Sequence, residues 1–209
     1  MSDLRAPCLP LAQGSRLTRP VYKQDFRQRY AQISQRDSWK LERLQHFEEE
    51  GSASRDALRA GEWKEALRLL EEDREGLLAA AREDELMGTV FHRVRVVEKP
   101  FTPYLQWELH SLRQQAECGT RVRVVRAGAV AGSEGAGPLP EVVVLGGHTL
   151  YRVLYTESGA CSGAIRYTDP DVVGSWEYYI SELFRAGEDM EQYFEREVAP
   201  LPPPSLTTK

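Results

Sequence analysis

Apolar positions along this chain fall into two periods, and the change from one to the other lays out the elements. Tyr22, Phe26, Tyr30 and Ile33 recur at steps of four, four and three, which predicts a helix from Val21 onward. Residues 38–47 (SWKLERLQHF) fit either a strand or a helix, and EEEGSAS ends them. Over 55–86 a stripe of Leu58, Trp63, Ala66, Leu67, Leu70, Leu77, Leu78 and Ala81 predicts helix. A break is expected at Gly61 or Gly76, since each glycine costs about 1 kcal/mol relative to alanine in a helix. The period then drops to two: TVFHRVRVV at 89–97 alternates and is rich in valine, the signature of a strand. From Pro103, Leu105, Leu109, Leu112 and Ala116 restore the helical period, Gly119 suits the helix end, and RVRVVRA begins a second strand at Arg121.

Strand, helix and strand in succession make a βαβ unit with two parallel strands. Beyond a Gly/Ala/Pro stretch at 128–140, expected to be a mobile loop, EVVVL, TLYRVLYT and ACSGAIRYT read as three more strands joined by hairpin-sized turns. Asp169 and Pro170 supply a cap and a first turn for a helix, and a short helix follows through EDMEQYFEREV. The predicted fold is α/β: a mixed sheet with one βαβ unit and hairpin strands, a helical N-terminal layer and C-terminal helices. Residues 1–15 are expected to form a disordered arm. Residues 16–198 form a single α/β domain, with 16–88 as the helical layer and 89–198 as the sheet and C-terminal helices. Residues 199–209 form a proline-rich tail.

Composition narrows the function classes. The 209 residues carry a net charge of −5 and contain no run of about 18 apolar residues, so no membrane span is expected. The N-terminus lacks a basic start followed by an apolar core, and three widely spaced cysteines, Cys8, Cys118 and Cys161, indicate free thiols in a cytoplasmic protein. Arginine carries nearly all the positive charge and asparagine is absent, as expected from a GC-rich coding sequence. Charge is segregated: residues 16–43 have eight basic and three acidic side chains, whereas 44–90 have six and thirteen. Nucleic acid is disfavoured as a partner by the overall negative charge, since phosphate contact requires a local surplus of cations.

The pentapeptide RVRVV occurs twice, at 93–97 and 121–125. If both valine rows meet the 103–118 helix, Arg93, Arg95, Arg121 and Arg123 share the opposite face. There they either pair with acidic residues of the preceding helix (Glu65, Glu71, Glu72, Glu75) or form a cationic shelf for an anionic ligand. Open α/β sheets bind ligands beyond the carboxyl ends of their strands. At that rim the sequence places Glu98, Lys99 and Arg126, with Tyr104 and Trp107 at the start of the intervening helix. Lys99, Tyr104, Trp107 and Arg126 therefore join the four arginines as candidate binding residues. Glu108 and His148 are the candidates for catalysis should the protein be a small biosynthetic or hydrolytic enzyme. No phosphate loop, Gly-x-Ser-x-Gly elbow or His-Glu-x-x-His occurs, and the histidines at 46, 92, 110 and 148 have no metal-ligand spacing, so no cofactor and no metal are expected.

From Phe91 onward, RVRVVEKPFTPYLQWEL, then GTRVRVV, then YRVLYTESGACSGAIRYTDPDVV, the chain resembles an uncharacterised family common in actinomycetes. Pro100, Tyr104, Leu105, Glu108 and Leu109 match its first motif, and Asp169-Pro170 its last; Gly119-Thr120 departs from its usual Gly-Glu. The resemblance implies a regulatory role beside helix-turn-helix proteins. Its strand pattern is also similar to half of a phospholipase-D-like domain, whose His-x-Lys motif is missing here because Thr149 and Leu150 follow His148. The function expected is thus non-enzymatic binding or regulation through a protein partner or an anionic small molecule, with an enzyme or a nucleic-acid-binding protein as alternatives.

Overall fold

Valine-rich runs need partners on both sides, and eight strands meet that need in one mixed sheet. A computed structural model describes residues 4–135 and 137–205. The strands are β1 (Ser15–Thr18), β2 (Ser38–Glu42), β3 (Phe91–Val97), β4 (Arg121–Arg126), β5 (Glu141–Leu145), β6 (Thr149–Tyr155), β7 (Cys161–Tyr167) and β8 (Glu188–Asp189). The helices are α1 (Arg19–Tyr30), α2 (Ala53–Arg59), α3 (Trp63–Glu72), α4 (Arg74–Met87), α5 (Pro103–Glu117), α6 (Ala127–Val130), α7 (Pro170–Ala186) and α8 (Met190–Glu197). Spatial order in the sheet is β1-β7-β6-β5-β2-β3-β4-β8. Strands β2, β3 and β4 run parallel, and every other pairing is antiparallel.

The predicted βαβ unit is present as β3-α5-β4. A second precedes it, because the ambiguous SWKLE segment is the central strand β2, parallel to β3 and joined to it through α2, α3 and α4. The helical stretch breaks at Gly61, whose φ of 83° favours glycine, and again at Asp73 instead of Gly76. Thr102 caps α5 by accepting the Leu105 amide at 3.0 Å, and Asp169 caps α7 by accepting the amides of Asp171 and Val172.

One face of the sheet carries Leu41, Val94, Val96, Val125, Val142 and Val144 against Trp176, Ile180 and Leu183 of α7. The other face is covered in two halves. Tyr22, Phe26 and Tyr30 of α1 pack on Val143, Tyr151, Val153 and Ala164, while α5 and α8 cover Val97, Val122 and Val124. Leu105, Leu109 and Leu112 are fully buried there, worth roughly 1.5–3 kcal/mol each. Of residues 1–15, expected as a disordered arm, 1–3 lie outside the described residues, Ser15 begins β1, and 4–14 lie along the α7 face with Leu4, Ala6 and Leu9 half-buried, where the Leu4 carbonyl accepts a hydrogen bond from Ser133 at 2.7 Å. That bond also ties down the 128–140 loop, as does Arg43, which holds Glu134 at 2.5 Å.

The two RVRVV strands are adjacent and parallel, but they are offset by one residue. Arg93 lies beside Val122, Val94 beside Arg123, and Arg95 beside Val124. Paired residues in a sheet point to the same side, so a single-residue offset reverses the sense of the whole pattern. The expected common face for four arginines is therefore corrected: Arg93 and Arg95 share the α5 face with Val122 and Val124, whereas Arg121 and Arg123 lie on the α7 face. The cause is the core itself. Helix α5 takes Val122 and Val124 of β4, α7 takes Val94 and Val96 of β3, and the arginines alternating with these valines go to whichever side is left.

Candidate functional site

Two clusters of charge gather the residues of interest. The first is buried under α5. Arg95 is 0% exposed; its Nε and Nη2 donate to Glu108 Oε2 at 2.9 and 2.6 Å, and its Nη1 donates to the Val96 carbonyl at 3.1 Å. The guanidinium also lies 5.6 Å from the centre of the Phe47 ring. Arg93 donates to Gln115 at 2.6 Å and lies 3.0 Å from Glu42, which Lys40 meets at 2.6 Å. Glu141, one strand over on β5, accepts the backbone amides of Arg43 and Leu44 at 2.8 and 2.7 Å and so closes the carboxyl end of β2.

Burial and neighbours drive these carboxyls apart. Burial alone would raise Glu42, but the charges of Arg93, Lys40 and Arg95 reverse this and hold it at about 2. Burial pushes Glu141 up to about 7, aided by the Glu42 charge beside it. Burial also raises Glu108, against the pull of Arg95. Glu141 keeps one carboxylate oxygen without a hydrogen-bond partner, whereas Oε2 of Glu42 has Arg93 Nε 3.0 Å away as an ion-pair partner. Raised and lowered carboxyls side by side are what acid–base catalysis uses, yet Glu42, Glu108 and Glu141 are only 4%, 6% and 5% exposed. No cavity described here is lined by any of the three.

The arginines of β3 thus pair with carboxylates, though not with those expected from the preceding helix. Glu65 and Glu72 hold Arg68, and Glu71 lies near Arg74. Tyr104 and Trp107, placed at the rim by the sequence, are core residues. The Tyr104 hydroxyl donates to Glu49 at 2.7 Å, and the Trp107 ring N–H donates to Ser54 at 2.8 Å, both packing toward α2 and α3. His148 sits exposed in the β5–β6 turn, beside the amino end of β2 and at the opposite end of the sheet from the rim, so it does not meet Glu108. Arg121 is exposed, and Arg123 lies 5.7 Å from the Phe184 ring centre with Asp189 3.9 Å away.

The second cluster lies at the carboxyl ends of β3 and β4. Val97, Glu98, Lys99, Arg126, Gly128, Tyr193 and Glu197 line an open cleft of about 340 Å³. Lys99 and Arg126 arrive there because Lys99 lies two residues beyond the end of β3 and Arg126 ends β4, and Glu197 is the last residue of α8. Glu197 accepts from Lys99 and from Arg196, with Arg126 Nη2 3.4 Å away. The hydrogen bond from Lys99 holds its carboxyl below the usual range. Arg196 is also bound by Glu188, at 2.6 and 2.9 Å, so Lys99 and Arg126 share one carboxylate between them. Glu42, Glu141, Tyr193, Arg196 and Glu197 escaped the sequence reading. Only Glu42 carried a signal, as a charged residue in phase with Lys40 and out of phase with Leu41.

Among the described residues no three metal-binding side chains come together, and no helix is long and apolar enough to cross a membrane. No curated protein gives a significant match. A family model described as a domain of unknown function, DUF6879, matches residues 24–195, a span that runs from within α1 into α8 and takes in the buried cluster together with Lys99, Arg126 and Tyr193 but not Arg196 or Glu197, and the chain belongs to that family.

Proposed function

We propose that this protein is a non-enzymatic binding or regulatory protein that takes up an anionic group in the cleft formed by Lys99, Arg126, Tyr193 and Glu197. The observation that carries this reading is the unequal sharing at Glu197: two cations from neighbouring strand ends converge on one resident carboxylate in an open cleft. A carboxylate or phosphate of a ligand takes the place of Glu197 and leaves the strand-end cations paired. The location agrees with the tendency of open α/β sheets to bind beyond their carboxyl ends. The volume falls at the small end of the range for ligand sites, roughly 300–1,000 Å³.

The carboxylates suited to catalysis are sealed beneath α5, which favours binding over chemistry. A regulatory role beside a helix-turn-helix protein, implied by the resemblance to actinomycete proteins, uses the same chemistry, because an acidic side chain of such a partner offers the carboxylate. The three cysteines are free thiols, in keeping with a cytoplasmic site of action. The phospholipase-D-like resemblance contributes no chemistry to the proposal, since the turn at His148 lies away from the cleft.

Thermal unfolding with and without phosphate or citrate tests the proposal. Wild type is expected to gain stability with the logarithm of anion concentration, and Lys99→Ala/Arg126→Ala to gain none. Equal gains in both proteins, or no gain with either anion, would rule the cleft out as an anion site.

A further inference from the structure

We propose, resting on the anion-cleft reading above, that Glu141 is a proton-operated latch on that cleft, which holds its anion more tightly when Glu141 is protonated. Three consecutive residues connect the two places. Glu141 Oε1 accepts the backbone amides of Arg43 and Leu44 at 2.8 and 2.7 Å. Gln45 follows, and it fastens the segment carrying Lys99 at both ends. Its Oε1 accepts the Glu98 amide at 2.8 Å, and its Nε2 donates to the Val96 carbonyl at 2.9 Å. Its backbone carbonyl accepts the Thr102 hydroxyl at 2.9 Å. Arg43 adds a hydrogen bond from Nη1 to Glu98 at 3.1 Å. A shift of residues 43–45 therefore carries with it Glu98, which lines the cleft, and Lys99 beside it.

The proton decides whether residues 43–45 stay in place. Glu141 is buried, and its second oxygen has no hydrogen-bond partner. Glu42 faces it from β2 and Arg95 from β3. Arg95 is already engaged by Glu108 of α5, while Lys40 and Arg93 are engaged by Glu42. Tyr155 of β6 faces both carboxyls, and burial pushes its hydroxyl well above the ordinary value, so it contributes no charge. A negative charge on Glu141 is thus disfavoured here, and its pKa rises to about 7. Released to water, the same carboxyl returns to its ordinary value. Ionisation therefore favours withdrawal of residues 43–45 and entry of water, whereas protonation favours the fastened arrangement. An anion that needs Lys99 in place favours the same arrangement, so proton and anion strengthen each other's binding. The cleft supplies no such dependence itself. It is lined by no histidine, burial pushes Tyr193 up to about 12, and the hydrogen bond from Lys99 holds Glu197 below the usual carboxylate range.

The test is calorimetric titration of the full chain with sulfate, whose charge is constant between pH 6 and 8. Wild type is expected to bind about tenfold more weakly at pH 8 than at pH 6, as the fraction of Glu141 that keeps its proton falls by that factor. Glu141→Gln keeps a carbonyl for the two amides and carries no charge. It is expected to bind at pH 8 as tightly as wild type does at pH 6. His46→Gln, at the histidine next in the chain to Gln45, is expected to keep the wild-type profile. Wild-type affinity that is equal at both pH values overturns the latch and leaves the anion reading standing. So does a pH profile that survives in Glu141→Gln or disappears in His46→Gln. Absence of sulfate binding by wild type at both pH values overturns the latch and the anion reading together.

Discussion

Replacing Glu141 by glutamine should make the protein more stable, and only above mildly acidic pH. Its carboxyl rises from an ordinary 4.5 to about 7 through burial and the adjacent Glu42 charge. The folded state therefore binds the proton more tightly than the unfolded state does. Stability is lost as pH climbs from about 4.5 to 7, and the loss is complete above that window. At 1.36 kcal/mol for each tenfold in the proton equilibrium, the burden of the ionised form is about 3 kcal/mol. The glutamine carbonyl can still accept the Arg43 and Leu44 amides that Glu141 accepts. Urea unfolding of wild type and Glu141→Gln at pH 4.5, 6 and 8 reads the effect. The variant is expected to match wild type at pH 4.5 and to exceed it by about 2–3 kcal/mol at pH 8. A variant that is weaker at pH 8, or a difference that does not change with pH, would refute the electrostatic account of the cluster.

Glu42→Gln should act in the opposite direction. Its carboxyl is held at about 2, so its contribution is present above its ordinary 4.5 and is lost as pH falls toward 2. The substitution should cost about 3 kcal/mol in urea unfolding at pH 7. Arg95→Met should cost about 3–5 kcal/mol, because it strands the buried Glu108, and adding Glu108→Leu should restore most of that loss in the same assay. Arg121→Ala, on the exposed side of the second repeat, should change stability by no more than about 0.5 kcal/mol.

The elements were more legible in the sequence than their relations. Helix α5 and its flanking strands follow from the period of Leu105, Leu109 and Leu112 and from Pro103 and Gly119, all local signals. The hairpin strands follow from their turns. The register of β3 against β4 does not, because a repeated pentapeptide is equally compatible with either phase. The choice rests on two helices, α5 and α7, taking valines from different strands. Glu141 lies 99 residues from Glu42 in number and one strand away in space, so no spacing rule links them. Lys99 and Arg126 were legible because strand ends in a βαβ unit lie at one rim. Glu197 was not, being one of several glutamates in the last helix.

The central claim is that anions are bound at the strand-end cleft and not by the arginine repeats as a surface. Amide chemical shifts of isotopically labelled protein, followed by nuclear magnetic resonance as phosphate is added, test it most directly. The account expects saturable shifts at Lys99, Arg126, Ala127 and Gly128, abolished by Lys99→Ala/Arg126→Ala. Saturable shifts centred on Arg121 and Arg123, or none at the cleft, would contradict it.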